Sequence, residues 1–417
     1  MRDRAMVQSH GGRATDAEIE LLLACSQPCV DVEDGRIERL LRLEIDWERL
    51  IRTALAHGVS PLLARRLGRL QSDGVPDEIR EALELHLLDN RERNVELTRA
   101  LFEILDSLEA RNILALPFKG QVLGAVAYGD YCLRRGGDID FLVKKRDLRT
   151  VWQTLEALGY RERNELLNGR PMSAVEHAGY LRYEHEYVFL RLRDRIVVEP
   201  HWAIVPTTLS IDLDCEEFWD RVQTVNLDGR ETSTVAVPDL LLVLCVHASK
   251  HDWSRLQWIC DVAAVLESHP GLDLGAVLDS ARARGFERMV LLGLGLAQHM
   301  LGTALAPIAQ ARLQSDAEAV ALVNTIADRL FIGLPGMPEI YKISRLQLRM
   351  RERYQDRVAF VFRTLTTPTL GILQFVALPT GLQGLYVPVK LMHVVALPIW
   401  RLVRPRRRRA AGRERRG

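Results

Sequence analysis

The segment from Gly136 to Val143, which reads Gly-Gly-Asp-Ile-Asp-Phe-Leu-Val, constrains this chain more than any other. Apolar residues alternate with two carboxylates, as they do in a β-strand that buries one face. Asp138 and Asp140 then project to one side of the strand. The side chains expected on the other side, in a core, are Ile139, Phe141 and Val143. Two like charges this close are costly unless a cation lies between them, and Mg²⁺ prefers such oxygen ligands. The pattern therefore predicts metal-dependent chemistry on a nucleotide, although Asp-x-Asp also occurs in solvated turns.

Composition limits the class of partner. The chain has 417 residues, 47% hydrophobic and 27% charged, which is ordinary for a soluble protein with two or three compact units. Nine arginines and one glutamate between Arg401 and Gly417 give this tail a charge of +8, so a net charge of +1 leaves −7 for the preceding body. Because duplex nucleic acid requires a broad basic surface, we expect no binding of duplex nucleic acid.

The cysteines and the first residues indicate a cytoplasmic protein. The cysteines are scattered, and none has the Cys-x-x-Cys spacing of a zinc or redox site. They are Cys25, Cys29, Cys132, Cys215, Cys245 and Cys260. We expect reduced, mostly buried thiols. The first residues are not followed by the apolar stretch of a secretion signal.

Hydrophobic periodicity predicts a short set of strands between long helical regions. The predicted strands are Ile113–Phe118, Asp138–Val143, Tyr187–Arg191 and Arg195–Glu199, the last two as an antiparallel hairpin. The predicted helices are Trp47–Leu70, Pro76–Ala110, Gly120–Tyr128, Asp147–Gly159, Asp239–His269, Gly275–Gly302, Asp316–Phe331 and Arg345–Thr366. Thr15 or Asp16 can cap an earlier helix, with Glu18 completing a capping box. His185 and Glu186, just before the predicted hairpin, are further candidates for a cleft.

The order of several short motifs resembles a known family. Lys119-Gly120, Tyr128, Arg134 and Asp138-Ile139-Asp140 are similar to the signature of the polymerase-beta-like nucleotidyltransferase superfamily, and more narrowly to the uncharacterised bacterial nucleotidyltransferases. Further similar stretches are Val198-Glu199-Pro200-His201-Trp202, the histidine motif from His247 through Lys250 and His251 to Trp253, Trp258 with Asp261, and Tyr386 to Arg404-Pro405. The resemblance covers about residues 18–405. The gap between Gly120 and Asp138 is longer than in many superfamily members.

The resemblance implies a two-metal site for nucleotidyl transfer. Asp138, Asp140 and Glu199 would lie on neighbouring strands and hold two Mg²⁺ ions, which Mn²⁺ can replace. Glu199 would accept the proton of an acceptor hydroxyl. That hydroxyl would attack the α-phosphate of a nucleoside triphosphate, most simply ATP, and release pyrophosphate. The acceptor itself is not identified by any motif.

The same resemblance assigns the phosphate contacts. Lys119 would supply a point charge to the β- and γ-phosphates, Gly120 would let the backbone and a helix N-terminus approach them, and Arg134 would add a forked contact. Each motif also has a structural interpretation. The Lys-Gly pair fits a surface turn, Arg134 fits an ion pair with Asp138, and Glu199 fits the end of an edge strand.

His247 and His251 lie at i and i+4, on one face of a predicted helix, with Trp258 and Asp261 on nearly the same stripe. They are candidates for contact with the nucleotide. The zinc motif of metalloproteases is incomplete here, because its glutamate is absent. In the structural alternative this helix packs over the cleft, and His247 and Asp261 form hydrogen bonds. Lys250 stands about 100° from this face, so we expect it to be exposed.

The C-terminal region from Leu370 to Val403 is strongly apolar, but prolines and charges interrupt any spanning stretch. One interpretation is a helical appendage that packs on the body. The other is reversible attachment to an anionic membrane through apolar side chains and the arginine cluster. The protein would then lie in the cytoplasm, peripheral to the inner membrane.

These observations predict an α+β protein with a small mixed nucleotidyltransferase sheet flanked by N-terminal and C-terminal helical bundles. The expected regions are a disordered N-terminus at 1–14, a helical region at 15–111, the nucleotidyltransferase core at 112–235, a helical domain at 236–366 and the apolar appendage with its arginine-rich tail at 367–417. The expected function is metal-dependent nucleotidyl transfer. The alternatives are a catalytically silent scaffold of the same fold and a membrane-surface adaptor that uses the fold only for binding.

Overall fold

The computed structural model describes residues 17–28, 35–70, 74–213, 216–333 and 343–376, together with 378, 380–390 and 392. The predicted disorder at 1–14, the capping residues Thr15 and Asp16 and the arginine-rich tail lie outside these residues.

A five-stranded mixed sheet forms the centre of the described chain. Its strands are β1 Leu116–Pro117, β2 Asp138–Leu142, β3 Arg161–Glu162, β4 Phe189–Arg191 and β5 Ile196–His201. The order across the sheet is β1-β2-β5-β4-β3. Only β2 and β5 are parallel, whereas every other neighbouring pair is antiparallel. This topology confirms the predicted mixed sheet and the antiparallel pairing of the predicted hairpin.

Helices precede, connect and follow the strands, which confirms the α+β class. The N-terminal helices are α1 Ala17–Cys25, α2 Gly35–Leu40, α3 Trp47–His57, α4 Ser60–Arg69 and α5 Asp77–Glu109. Those between strands are α6 Gly120–Tyr128, α7 Leu148–Ala157, α8 Arg163–Asn168 and α9 Ala174–Tyr183. Those after the sheet are α10 Val237–Lys250, α11 Leu256–Ser268, α12 Leu274–Arg284, α13 Glu287–Leu301, α14 Pro307–Ser315, α15 Ala317–Arg329, α16 Arg345–Arg349, α17 Tyr354–Thr366 and α18 Leu370–Phe375.

The alternation in β2 has the predicted consequence for packing. Ile139, Phe141 and Val143 are buried in one apolar cluster with residues of α5 and α7. The main-chain N–H of Phe118 donates to the carbonyl of Asp140, which ties β1 to the same strand. The apolar face of β2 therefore anchors the strand, and its acidic residues are left for the opposite side.

Several long predicted helices are interrupted. The segments Trp47–Leu70, Asp239–His269, Gly275–Gly302 and Arg345–Thr366 each contain two helices. Gly58 and Gly285 end α3 and α12 with φ of 75° and 83°. After α10 the turn uses Asp252 and Trp253 with φ of 55° and 54°, an uncommon conformation for residues that have a β-carbon. Apolar periodicity does not reveal these breaks, because the helices on both sides bury apolar residues.

A second, two-stranded sheet was not predicted. Strands β6 Val222–Leu227 and β7 Arg230–Val235 form a hairpin through Asp228 and Gly229, whose φ angles are 51° and 83°. Asp-Gly between two alternating runs is a strong hairpin signal, and it marks this turn in the sequence. Thr234 Oγ1 donates a 2.6 Å hydrogen bond to the carbonyl of Pro117, so the hairpin packs beside β1.

Two helical glycines allow a test of how tightly the C-terminal helices pack. A β-carbon at Gly293 in α13 would lie 2.7 Å from Cys245 Sγ and 2.8 Å from a ring carbon of Trp253, whereas one at the exposed Gly68 in α4 would meet nothing within 4 Å. Gly293→Ala should lower the free energy of unfolding by about 1–3 kcal/mol through overpacking. Gly68→Ala should raise it by up to about 1 kcal/mol, because alanine favours the helix. Urea unfolding of both variants measures the difference, and equal effects would contradict the packing described.

Candidate active site

A polar cleft of about 750 Å³ lies between the acidic side of the sheet, the end of α3 and the connection from α10 to α11. Its lining contains most of the residues that we predicted for the site: Lys119, Arg134, Asp138, Asp140, Glu199, His247 and His251. Other residues of the lining are Gly136, Gly137, Glu186, Lys250, Arg255 and Trp258. Residues from positions far apart in the chain thus meet in one cleft.

Parallel pairing of β2 with β5 sets the position of the acids. In this register Asp140 lies opposite Glu199. One ligand atom each of Asp140, Glu199 and His201 lies within 4.8 Å of the others. Asp138 lines the same cleft without belonging to this group. The structure therefore brings Asp140 and Glu199 together as expected, and adds His201 from the same motif to this group.

Asp140 is held as a carboxylate by two donors. Lys119 Nζ and His201 Nε2 each lie 2.9 Å from Oδ1 of Asp140. Burial alone would raise the pKa of Asp140, but the Lys119 ammonium and the hydrogen bond from His201 lower it below the usual value. In the same way, burial alone would lower the pKa of Lys119, and Asp140 and its acidic neighbours raise it. Lys119 is therefore neither in a surface turn nor free in the cleft, but paired with Asp140.

The pKa values of the other two acids, Asp138 and Glu199, are raised instead of lowered. Burial and the nearby Asp140 raise the pKa of Asp138 to about 6. Burial, with Glu186 and then Asp138 and Asp140, raises the pKa of Glu199 well above its usual value. Acidic groups thus outnumber the positive charges at this end of the cleft. A divalent cation fits this oxygen set, because its charge would offset the repulsion that raises these pKa values.

Lys250 is buried, and our prediction that it is exposed is wrong. It is the last residue of α10, and its Nζ lies 2.9 Å from Nε2 of His185. The turn that follows α10 brings this end of the helix against the residues before β4. His185 in turn contacts Glu186, with Nε2 3.2 Å from Oε2. The two candidates before the hairpin therefore do lie at the cleft, with Glu186 in its lining.

Arg134 forms a buried ion pair that we did not predict. Its Nε and Nη2 donate to the two carboxylate oxygens of Asp261 at 2.9 and 3.1 Å. Tyr128 donates its hydroxyl hydrogen to the same carboxylate at 3.0 Å. The structural alternative that paired Arg134 with Asp138 is therefore wrong, whereas Asp261 does form structural hydrogen bonds, as the alternative for this helix expected. A phosphate contact of Arg134 stays a prediction, and would use the remaining Nη1 group.

The histidine motif forms an aromatic cluster on the helical wall of the cleft. The rings of His247 and His251 lie 4.8 Å apart, and that of Trp258 lies 5.3 Å from His251. Burial and the positive charges nearby lower the pKa of His251 to about 3 and that of His247 well below its usual value. Both imidazoles are therefore neutral, and this helix does pack over the cleft as expected.

Gly120 has a backbone role. Its φ is +54°, and a β-carbon there would lie 3.2 Å from the carbonyl oxygen of Asp138. It begins α6, is buried, and does not line the cleft, whereas Gly136 and Gly137 do. The predicted approach of Gly120 to a phosphate therefore has no support in this geometry, and the observed need for glycine comes from the turn and from β2.

The family model described as uncharacterised nucleotidyltransferases matches residues 44–302. The chain belongs to this nucleotidyltransferase family. The matched range contains every residue that lines the cleft, although it is shorter at both ends than the resemblance we expected over 18–405. No curated protein and no solved structure matches the chain.

The buried pair of Arg134 and Asp261 predicts a large stability effect. Asp261→Asn leaves a buried guanidinium without its carboxylate and should lower the free energy of unfolding by about 3–5 kcal/mol. The matched control is Asp279→Asn, since Asp279 pairs with Arg312 but is two-thirds exposed, and should change stability much less. Chemical denaturation of both variants distinguishes these outcomes. Comparable small losses would show that the ion pair does not hold α11 to the segment between α6 and β2.

Proposed function

We propose that this protein transfers a nucleoside monophosphate from a nucleoside triphosphate, most simply ATP, to an acceptor hydroxyl with release of pyrophosphate. The observation that carries the proposal is the placement of Asp140 opposite Glu199, with Asp138 on the same strand, in a polar cleft. Membership of a nucleotidyltransferase family supports the reaction class.

The charges of the cleft suit an anionic substrate that arrives with a cation. Its lining contains four acidic side chains, Asp138, Asp140, Glu186 and Glu199, and six basic ones, Lys119, Arg134, Arg135, Arg163, Lys250 and Arg255. Because Arg134 is neutralised by Asp261, five positive charges face four carboxylates. Basic side chains beside this group of acidic residues favour the binding of a polyphosphate together with the divalent ion that it carries.

Asp138, Asp140 and Glu199 would hold the divalent ions, Mg²⁺ or Mn²⁺. Bound there, the ions would lower the pKa of the acceptor hydroxyl and stabilise charge on the phosphates. Glu199 is the residue suited to accept the hydroxyl proton, because burial and its acidic neighbours raise its pKa and make it a stronger base than an ordinary carboxylate. Lys119 keeps Asp140 ionised through its 2.9 Å contact.

The aromatic wall of the cleft, formed by His247, His251 and Trp258, offers a place for the base of the nucleotide. His247, His251 and Trp258 line the cleft from the side of α10 and α11. Neutral imidazoles and an indole can stack on a base and still donate or accept hydrogen bonds. We assign these residues to nucleotide contact, in agreement with the motif that singled out the two histidines.

A silent nucleotide-binding scaffold is the second candidate. The observation that favours it is the Lys119 ammonium on Asp140, since a built-in cation lets the acids remain buried without a metal ion. In this case the chain binds a nucleotide and transfers nothing.

Transfer of an α-phosphate label separates the two candidates. The purified chain is incubated with α-labelled nucleoside triphosphates, Mg²⁺ or Mn²⁺ and host extract, beside Asp140→Asn and the exposed control Asp89→Asn. We expect Asp140→Asn to lower label transfer by about 100-fold or more, because removal of one group that stabilises charge in a transition state typically costs this much. Asp89→Asn should leave label transfer unchanged.

Label transferred equally by the wild-type chain and Asp140→Asn, or by neither, counts against catalysis at this site. Nucleotide binding without any transfer would favour the scaffold. The same incubation with each triphosphate in turn identifies the nucleotide that is used.

We also propose that this protein lies in the cytoplasm and makes peripheral contact with an anionic membrane. Among the described residues, one stretch, Tyr354–Phe375, is long and apolar enough to cross a membrane by length and composition, and a third of its most apolar part is buried inside the protein. Its exposed apolar side chains are Tyr354, Val358, Phe362 and Phe375. Together with the +8 tail, an exposed apolar face favours binding at the surface of a bilayer.

Truncation after Pro398 tests this contact. The shortened chain loses the arginine cluster, and each arginine near an anionic surface contributes about 1 kcal/mol. The full chain should therefore sediment with phosphatidylserine vesicles at low salt and not with phosphatidylcholine vesicles, and the truncated chain should remain largely in the supernatant. Unchanged partitioning after truncation would end the proposal.

A further inference from the structure

A second group of possible metal ligands lies beside Asp140 and Glu199 in the cleft. One ligand atom each of His185, Glu186 and His201 lies within 4.8 Å of the others. His185 and Glu186 precede β4, and Glu186 forms an antiparallel bridge with His201 at the end of β5. The two histidine side chains are buried, and that of Glu186 is 19% exposed and lines the cleft. None of the three is among the residues proposed above to hold the divalent ions, and His201 meets that set through its hydrogen bond to Asp140.

The distances in this group are those of metal ligands. Glu186 Oε2 lies 3.2 Å from His185 Nε2 and 3.3 Å from His201 Nδ1. Ligand bonds of about 2.0–2.1 Å in a tetrahedral arrangement place neighbouring ligand atoms about 3.3–3.4 Å apart. His201 Nδ1 nevertheless has no hydrogen-bond partner, although it is buried. A buried polar nitrogen of this kind requires a partner, and a cation would supply one.

The tautomer of His201 is fixed by Asp140. Its Nε2 lies 2.9 Å from the carboxylate oxygen Oδ1, which can only accept, so Nε2 carries the hydrogen. Nδ1 is then left with a lone pair on the side of Glu186. A histidine that donates one ring N–H to a carboxylate and presents its other nitrogen to a metal is the usual arrangement around protein-bound zinc.

The contact with Lys250 shows which ring nitrogen of His185 lacks a hydrogen. An ammonium has no acceptor, so the 2.9 Å contact means that Lys250 Nζ donates to Nε2 of His185. That nitrogen therefore also has a lone pair. Two neutral imidazole nitrogens and one carboxylate oxygen form a set typical of zinc and unlike the all-oxygen sets of Mg²⁺.

We propose that His185, Glu186 and His201 form a site for a first-row transition-metal ion, best suited to Zn²⁺, and that the Lys250 ammonium competes with this ion for Nε2 of His185. The site is separate from the Asp138, Asp140 and Glu199 set and does not depend on nucleotidyl transfer. Through the hydrogen bond of His201 to Asp140, an ion bound here fixes the orientation of that carboxylate.

Metal titration of the chelator-treated full chain tests the site. ZnCl₂ is added in a calorimeter, and CoCl₂ is added in a spectrophotometer. We expect one equivalent to bind, with a cobalt spectrum that lacks thiolate bands. His185→Gln and Glu186→Gln should each weaken binding by about 100-fold or more, since even the loss of an outer-shell partner costs about 10–100-fold. Lys250→Met, which removes the competing ammonium, should tighten it.

His251→Gln is the matched control, because His251 is a buried histidine of the same cleft outside the group. It should change zinc affinity by less than about threefold, well below the loss of a ligand. Because Lys250→Met acts in the opposite direction from the ligand variants, misfolding cannot imitate the full pattern. Absence of stoichiometric binding in both wild type and Lys250→Met overturns the proposal. Binding that survives His185→Gln and Glu186→Gln, or that His251→Gln removes, overturns it equally.

Discussion

The parallel pairing of β2 with β5 is the constraint on which the site depends. The register that sets Asp140 opposite Glu199 also sets Ile139 opposite Val198, both of them buried. A slip of one residue would move every side chain of a strand to the other face, which would bury the acid in the apolar cluster. Burial of the apolar face thus fixes the position of the carboxylates. The chemistry of the cleft follows from the packing behind it.

Burying several acids in one cleft is tolerated because cations of the chain itself lie among them. Lys119 contacts Asp140, and Lys250 approaches Glu186 through His185. Burial of these carboxylates without partners would cost several kcal/mol each. The compensation is incomplete, since the pKa values of Asp138 and Glu199 remain raised. The mutual repulsion that helps to raise these two pKa values is what favours the binding of a cation among the acids.

Local patterns predicted the elements that carry the acids, whereas they did not predict contacts between residues distant in the chain. Alternation identified β2, and the helix predicted from Gly120 to Tyr128 has these bounds in the structure. The partner of Arg134 is 127 residues away, so no spacing rule points to Asp261. The turn at Asp252 and Trp253 lacks the glycine that marks such a conformation in sequence. Lys250 is buried against His185, which is 65 residues away, so its position on the helix alone predicted its exposure wrongly.

The signature that resembles nucleotidyltransferases therefore contains two kinds of residue. Asp138, Asp140 and Glu199 belong to the acid site, but Tyr128, Arg134 and Asp261 form a buried network that joins the segment after α6 to α11. Helix α11 carries Trp258 three residues before Asp261, so the network also sets the distance from the aromatic wall to the acids. A buried network whose groups are hydrogen-bonded fixes one geometry. The residues of the motif that have a structural role thereby join the helix of the aromatic residues to the segment that leads into β2, and in this way they support the proposed site.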